Sequence, residues 1–309
     1  MSKNTKKQTS LLFIIVYMML ILPLTASGGS FDTGMEAYER GKFTEAAKWF
    51  RKAAEHGDDD AQYNLGLMYD SGQGVPQDYN KAFEWYRKAA EQGYVEAQHN
   101  LGYMYENGEG ISQDDNKAFE WYRKAAKQGY VEAQYALGSM YDSEQGVSQD
   151  DIKALEWYRK AAEQGHIEAQ YNLGHMYNSG QGVPQDYNKA FEWYRKAAEQ
   201  GYAMAQTNLG TFYNKGLGVK QDYEEAMKWT RKGVEQGDTQ GEYNMGMLYY
   251  HGQGVTRDYV QAHMWFGLAA DKSHVQAIRV RNFIAKHHLS KAQVSKSQHL
   301  AKNWKIKHF

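Results

Sequence analysis

The stretch GVPQDYNKAFEWYRKAAEQGY occupies Gly74–Tyr94 and occurs again, unchanged, at Gly182–Tyr202. The copies begin 108 residues apart, which is three times 36. A catalytic centre is usually built once, whereas a structural unit is copied, so the stretch predicts a scaffold of repeats. Steps of 36 from Ala61 reach Ala97, Ala133, Ala169, Ala205, Gly241 and Ala277. Steps from Leu65 reach Leu101, Leu137, Leu173, Leu209 and Met245, and steps from Gly66 meet glycine as far as Gly246. No insertion interrupts the period over six units.

Each unit reads as two helices. In the first, helix A (AQYNLGLMY, Ala61–Tyr69) carries Ala61, Leu65, Met68 and Tyr69 at offsets 0, 4, 7 and 8, one face of a 3.6-residue helix. Gly66 recurs in mid-helix despite its conformational cost, which predicts close approach of a neighbouring helix there. Helix B (Tyr79–Gln92) places Ala82, Trp85, Tyr86 and Ala89 on its core face, widened by Phe83 and Ala90. Asp78 is the expected N-cap and Gly93 the left-handed residue beyond the C-terminus. The seven tryptophans Trp49, Trp85, Trp121, Trp157, Trp193, Trp229 and Trp265 are expected in the core. One hairpin cannot bury its own apolar faces, but stacked hairpins can. The expected fold is all-α: a right-handed α/α solenoid (superhelix) of 36-residue helix-hairpin repeats.

The alanine and Leu-Gly of helix A, the Gly-x-Gly-Val loop and the Ala-x-x-Trp-Tyr of helix B resemble the Sel-one-like repeat (SLR) family, relatives of the tetratricopeptide repeats. The resemblance covers roughly 31–286. It implies a solenoid, protein–protein contacts and, often, an exported bacterial adaptor. The expected organisation is a signal peptide at 1–28, a tetratricopeptide-like capping hairpin at 29–60, six repeats at 61–276, and C-terminal capping helices with a basic tail at 277–309. Ser290 is the expected cap of a closing helix that runs to about Trp304. Glu144 stands where other units carry glycine. Gly233, Gly241 and Thr230 replace conserved-phase alanines and a tyrosine, so that unit is expected to be looser.

Lys3, Lys6 and Lys7, the apolar run Leu11–Leu24, and small residues from Ala26 to Ser30 form a secretory leader with cleavage near Ala26 or Gly28. An exported protein, periplasmic or secreted, follows; the alternative is an uncleaved anchor facing the periplasm. With no cysteine, disulfides, thiolate metal sites and a lipidated N-terminal cysteine are excluded. The formal charge is −1; +3 in the leader and +9 from Lys272 to Phe309 leave −13 on the body. An acidic body argues against nucleic acid. The basic end either folds back on the array, caps it as a solvated surface, or touches an anionic envelope component.

No HExxH, Gly-x-Ser-x-Gly or Ser-x-x-Lys motif is present. The carboxylates recur at equivalent positions, as Glu84, Glu120, Glu156 and Glu192 do, which favours solvation over a unique acid–base pair. No catalytic residue, metal or cofactor is expected. Packing positions barely change along the array, whereas three helix-A offsets vary. Offset 2 reads Tyr63, His99, Tyr135, Tyr171, Thr207, Tyr243; offset 6 reads Leu67, Tyr103, Ser139, His175, Thr211, Met247; offset 9 begins Asp70, Glu106, Asp142. At about 100° per residue these lie opposite the core offsets, on the face that lines the concave side of a solenoid. Tyr63, Asp70, His99, Tyr103, Glu106, Tyr135, Asp142, Tyr171 and His175 are the expected binding residues. The function expected is a non-enzymatic scaffold, monomeric, holding another protein or an extended peptide with basic residues. Membrane contact is limited to an uncleaved N-terminus or weak attraction of the tail. A cell-wall glycan enzyme or accessory, and a host-facing receptor-binding protein, are the alternatives.

Overall fold

A computed structural model describes residues 29–308, so the leader lies outside the described residues. These residues form sixteen α-helices and no strand. They divide into two compact units, the first ending at Gln77 and the second beginning at Asp78.

The first unit holds α1 (Ser30–Glu39), α2 (Phe43–Glu55) and α3 (Asp59–Ser71). The short α1–α2 link leaves Phe50 fully buried under Gly34. The second unit begins with α4 (Tyr79–Glu91). Five hairpins follow: α5 (Val95–Asn107) with α6 (Asp115–Lys127), α7 (Val131–Ser143) with α8 (Asp151–Glu163), α9 (Ile167–Ser179) with α10 (Tyr187–Glu199), α11 (Ala203–Lys215) with α12 (Tyr223–Glu235), and α13 (Thr239–His251) with α14 (Tyr259–Asp271). A further A-type helix, α15 (Val275–His287), and a closing helix, α16 (Lys291–His308), end the chain.

Local chemistry sets the helix ends. Asp78, Asp114, Asp150 and Asp186 each accept a hydrogen bond from the backbone N–H three residues on. Helix A ends on a left-handed residue, glycine at Gly108 and Gly180, and Glu144 adopts the same conformation at φ 57°. A side chain there costs about 1 kcal/mol. The second loop glycine has a separate role. A β-carbon at Gly110 would strike the backbone carbonyl of Tyr79, and one at Gly146 that of Asp115.

The mid-helix glycines act as expected. A β-carbon at Gly102 would come within 2.7 Å of the Tyr122 ring, and one at Gly138 within 2.6 Å of Tyr158. Here the structure corrects the expected core. Tyr86, Tyr122, Tyr158 and Tyr194 are the large buried side chains of helix B. Trp85, Trp121, Trp157 and Trp193 are only half-buried, as is Trp49. Each of those in α4, α6, α8 and α10 lies under the ammonium of the lysine three residues on, 3.5 Å from the ring centroid in α6 and 3.9 Å in the others. A tryptophan beside the core, covered by a snorkelling lysine, keeps its indole edge in water. Only Trp229 and Trp265 are buried.

Glutamines link successive units. Gln134 donates to the Ala126 carbonyl at 3.3 Å and accepts from Gln164 at 2.8 Å; Gln164 also donates to the Gly129 carbonyl at 3.3 Å. The pattern runs from Gln98 to Gln236 and changes chemistry at its end. There Lys272 donates to Glu242 at 2.8 Å and to the Gly237 carbonyl at 2.9 Å, with Glu242 fully buried.

The expectation of a looser unit at 203–238 is overturned. With Thr230 in place of tyrosine, α11 and α12 close on one another: a β-carbon at Gly210 would lie 2.9 Å from the Ala226 carbonyl oxygen, and one at Gly233 would lie 2.9 Å from that of Ala203. Phe212, where other units carry methionine or leucine, meets Tyr194 of the preceding hairpin edge-on at 5.3 Å.

Ser290 and Gln293 cap α16 reciprocally, at 3.3 and 2.9 Å. The helix runs past Trp304 to His308. Trp304 packs edge-on against Trp265 at 4.7 Å, His263 Nδ1 meets Ser297 Oγ at 2.7 Å, and Lys305 pairs with Asp271 at 2.7 Å. The basic helix therefore docks on the last hairpin.

Candidate protein-binding face

The variable offsets of the second unit lie on α5, α7 and α9. Rings at offset 2 are gripped from two sides. His99 contacts Tyr122 at 5.4 Å and Tyr130 at 5.2 Å; Tyr135 contacts Tyr158 at 5.8 Å and stacks on His166 at 4.4 Å; Tyr171 contacts Tyr194 at 5.6 Å and Tyr202 at 5.1 Å. One partner is the buried tyrosine of the same hairpin. The other is the residue before the next helix A. All three rings are half-buried. A wheel that opposes them to the core is therefore incomplete, because helix A is packed on both sides. The result is a row of fixed aromatic edges at a spacing of one unit.

Asparagines add to this row. Asn172 stands near the hydroxyls of Tyr135 and Tyr158, and Asn208 near those of Tyr171 and Tyr194, where each works against the burial that raises the pKa of these phenols. Where Ala136 replaces the asparagine, histidine replaces the tyrosine at 99, and the Tyr122 hydroxyl turns to Glu106 Oε2 at 2.7 Å. Burial, then Glu106, raises the pKa of Tyr122 well above that of an ordinary phenol. Burial lowers the His99 pKa, which makes that ring neutral at pH 7.

The acidic offset is engaged by neutral donors. Asp142 accepts from Gln181 at 2.7 Å and from the Tyr158 hydroxyl at 3.5 Å. Among the described residues, neither Asp142 nor Glu106 has a cation within ion-pair distance. Tyr103 is half-buried beside this edge and His175 is exposed. In the first unit Tyr63 and Asp70, both half-buried, hold the same offsets on α3.

The row stops at the next unit. Thr207 is buried and donates to Asp238 at 2.6 Å in place of a ring contact. It resumes at Tyr243, stacked on His274 at 4.7 Å. The asparagine and glutamine braces went unnoticed in the sequence, although the series Asn100, Asn172, Asn208, Asn244 was there to be read. Among the described residues, Asp58, Asp59 and Asp60 bring three carboxylates within 4.8 Å, but Asp58 already caps α3 through the Ala61 N–H at 2.7 Å. No described helix is long and apolar enough to cross a membrane.

The chain matches the Sel1 repeat seven times, at residues 31–58, 59–94, 95–130, 131–166, 167–202, 203–238 and 239–274. It is similar to the crystal structure of a Sel1 repeat protein from Oxalobacter formigenes, with 34% identity and a TM-score of 0.68, over 79% of this chain and 97% of that one. It is also 34% identical to a protective antigen of uropathogenic Escherichia coli strains displaying an SLR fold, over 90% of this chain and 76% of that one, with a TM-score of 0.40. Rat DAP3-binding cell death enhancer 1 is 45% identical over 49 residues; that match spans 16% of this chain and 10% of the relative.

Proposed function

The chain belongs to the Sel1 repeat family, and from that premise we propose that it is a non-catalytic scaffold that holds an extended segment of a partner protein along the helix-A face of 95–179. Sel1 repeat proteins are in general protein-interaction scaffolds, and the α/α solenoid is typically a non-catalytic one. One observation carries the finer reading: His99, Tyr135 and Tyr171 repeat at the same depth on successive units, each locked by two aromatic or histidine neighbours. Rigid, half-exposed rings lose little entropy on contact, which suits recognition. Tyr103 and His175 beside them vary from unit to unit and supply specificity; Glu106 and Asp142 favour a segment carrying lysine or arginine. Tyr63 and Asp70 hold the same offsets within the first unit and are proposed as binding residues of that unit by itself.

We further propose export to the periplasm or beyond, on the strength of Lys3, Lys6, Lys7 and the apolar run that follows. N-terminal sequencing of the protein from fractionated bacteria should place the mature start near Ala26 or Gly28.

The binding test is capture of the partner from the native envelope with the wild-type chain, then with Tyr103→Ala/His175→Ala. These side chains lie outside the locked row, so circular dichroism should be unchanged. The double variant should weaken capture by about 2 kcal/mol or more. Undiminished capture, together with loss of capture by a folded chain truncated after Lys286, would assign recognition to the tail instead.

A further inference from the structure

The last hairpin and the helix after it break the repeat at four positions that meet in space. In other units a buried apolar residue on helix B packs on a tyrosine of the next helix A, as Phe119 does on Tyr141 at 5.4 Å and Phe191 on Tyr213 at 5.4 Å. An arginine four residues further along helix B also reaches that tyrosine: Arg159 Nη2 donates to the Tyr177 hydroxyl at 2.9 Å. One period after Met227 the apolar position is His263, the arginine position is Gly267 and the tyrosine position is Ala285. The leucine that fills the centre of helix A, as at Leu173 and Leu209, is replaced in α15 by Arg281.

These exchanges do not collapse. They leave a cleft of about 540 Å³ between α14, α15 and α16. Gly267 faces it openly, with no atom within 4 Å of where its β-carbon would stand. His263 is 5% exposed and is fixed through Nδ1 by Ser297 Oγ at 2.7 Å. Because Ser297 donates its own proton to the Val294 carbonyl at 2.7 Å, its oxygen accepts from His263, which puts the imidazole proton on Nδ1. Around the opening stand Arg281, Lys302 and Lys305, with Gln298 and Asn282 as neutral polar groups; Arg281 donates from Nε and Nη2 to the Asn282 side-chain oxygen at 3.3 and 3.2 Å, and no carboxylate bonds it among the described residues. Asp271, bound to Lys305 at 2.7 Å, is the one carboxylate in the lining. The cleft is therefore cationic by two charges, on a chain whose body is acidic.

We propose that this cleft is a binding site for a small oxyanion, a carboxylate or phosphate group, that takes the place of the neutral Asn282 oxygen on the Arg281 guanidinium, with Lys302 as a second cation. Arginine in a position that is leucine or methionine elsewhere gives up core packing, and open space remains beside it. A guanidinium matches an oxyanion with two parallel N–H donors, while the ammonium adds charge. The Ala285, Val294 and Ala301 walls limit the ligand to a small one. The site lies apart from the helix-A face and stands or falls without it.

The test is calorimetric titration of the full chain with three probes: inorganic phosphate, acetyl-alanyl-alanine as the free acid, and its C-terminal amide. At least one of the first two should bind, and the amide should not; which one binds separates a phosphate source from a carboxylate source. Arg281→Gln should weaken that binding about tenfold or more. Gly267→Leu should close the cleft and abolish binding while preserving the helical spectrum, since the site has room for it. Absence of binding by both oxyanions at millimolar concentration would overturn the proposal. So would equal binding of the amide, or binding that Arg281→Gln leaves unchanged.

Discussion

The hairpins at 131–202 and the hairpin at 203–238 obey the same period yet are packed by different means. In the former a buried tyrosine, Tyr158 or Tyr194, lies over a glycine of helix A and under a half-buried tyrosine ring. In the latter Thr207 and Thr230 replace both rings and the helices close, while Phe212 stands where the other hairpin has Met176 and packs on Tyr194. A repeat therefore conserves the filling of its interior rather than the residue at each position. Cores accept such compensated swaps where they reject single ones.

The largest effect should separate the two aromatic neighbours of helix B. Tyr158→Ala should cost about 3–5 kcal/mol, because a buried ring leaves a cavity. Trp157→Ala, which removes a half-buried ring, should cost about 1–2 kcal/mol. Urea denaturation followed by circular dichroism measures both, and equal losses would show that the two rings share the core. The second test reverses the swap. Thr230→Tyr alone should destabilise by about 1–3 kcal/mol through overpacking, and Phe212→Met in the same chain should recover part of it. Additive losses in the double variant would mean that the two sites do not compensate.

The third and smallest concerns the end of the glutamine ladder. At Gln134 and Gln170 the side-chain amide donates to a carbonyl eight residues earlier. Glu242 holds that place without an N–H, and its Oε2 is buried with no partner. Burial raises its pKa, although Lys272 pulls it down. A raised folded pKa means that this group supports the fold fully below the unfolded carboxyl value of about 4.3 and loses that support as the pH rises through the folded value. Glu242→Gln should therefore stabilise by about 1–2 kcal/mol at pH 7, and by less at pH 4. Melting curves at the two pH values check this; a gain independent of pH would point to packing instead.

The candidate face shows where sequence reading stops. The variable offsets marked His99, Tyr135 and Tyr171, but a helical wheel carries no information about the helix behind. It placed as bare surface three rings that are half in contact. Glu106 and Asp142 were legible as charges, but not as acceptors for Tyr122, Tyr158 and Gln181.

The sequence by itself determined what depends on near neighbours. Apolar period, aspartate caps and left-handed glycines act within a few residues, and they specified the helices of the described residues, the hairpin length and the closing helix behind Ser290. Only the tertiary structure decided depth. Trp157 and Tyr158 are adjacent in the chain, yet one is half-buried under Lys160 and the other fully buried against Gly138. The cleft beside Arg281 likewise requires His263, Gly267, Ala285 and Lys302 to meet. Burial and shape are set by elements stacked a full repeat away, and no local period encodes how much space those elements leave.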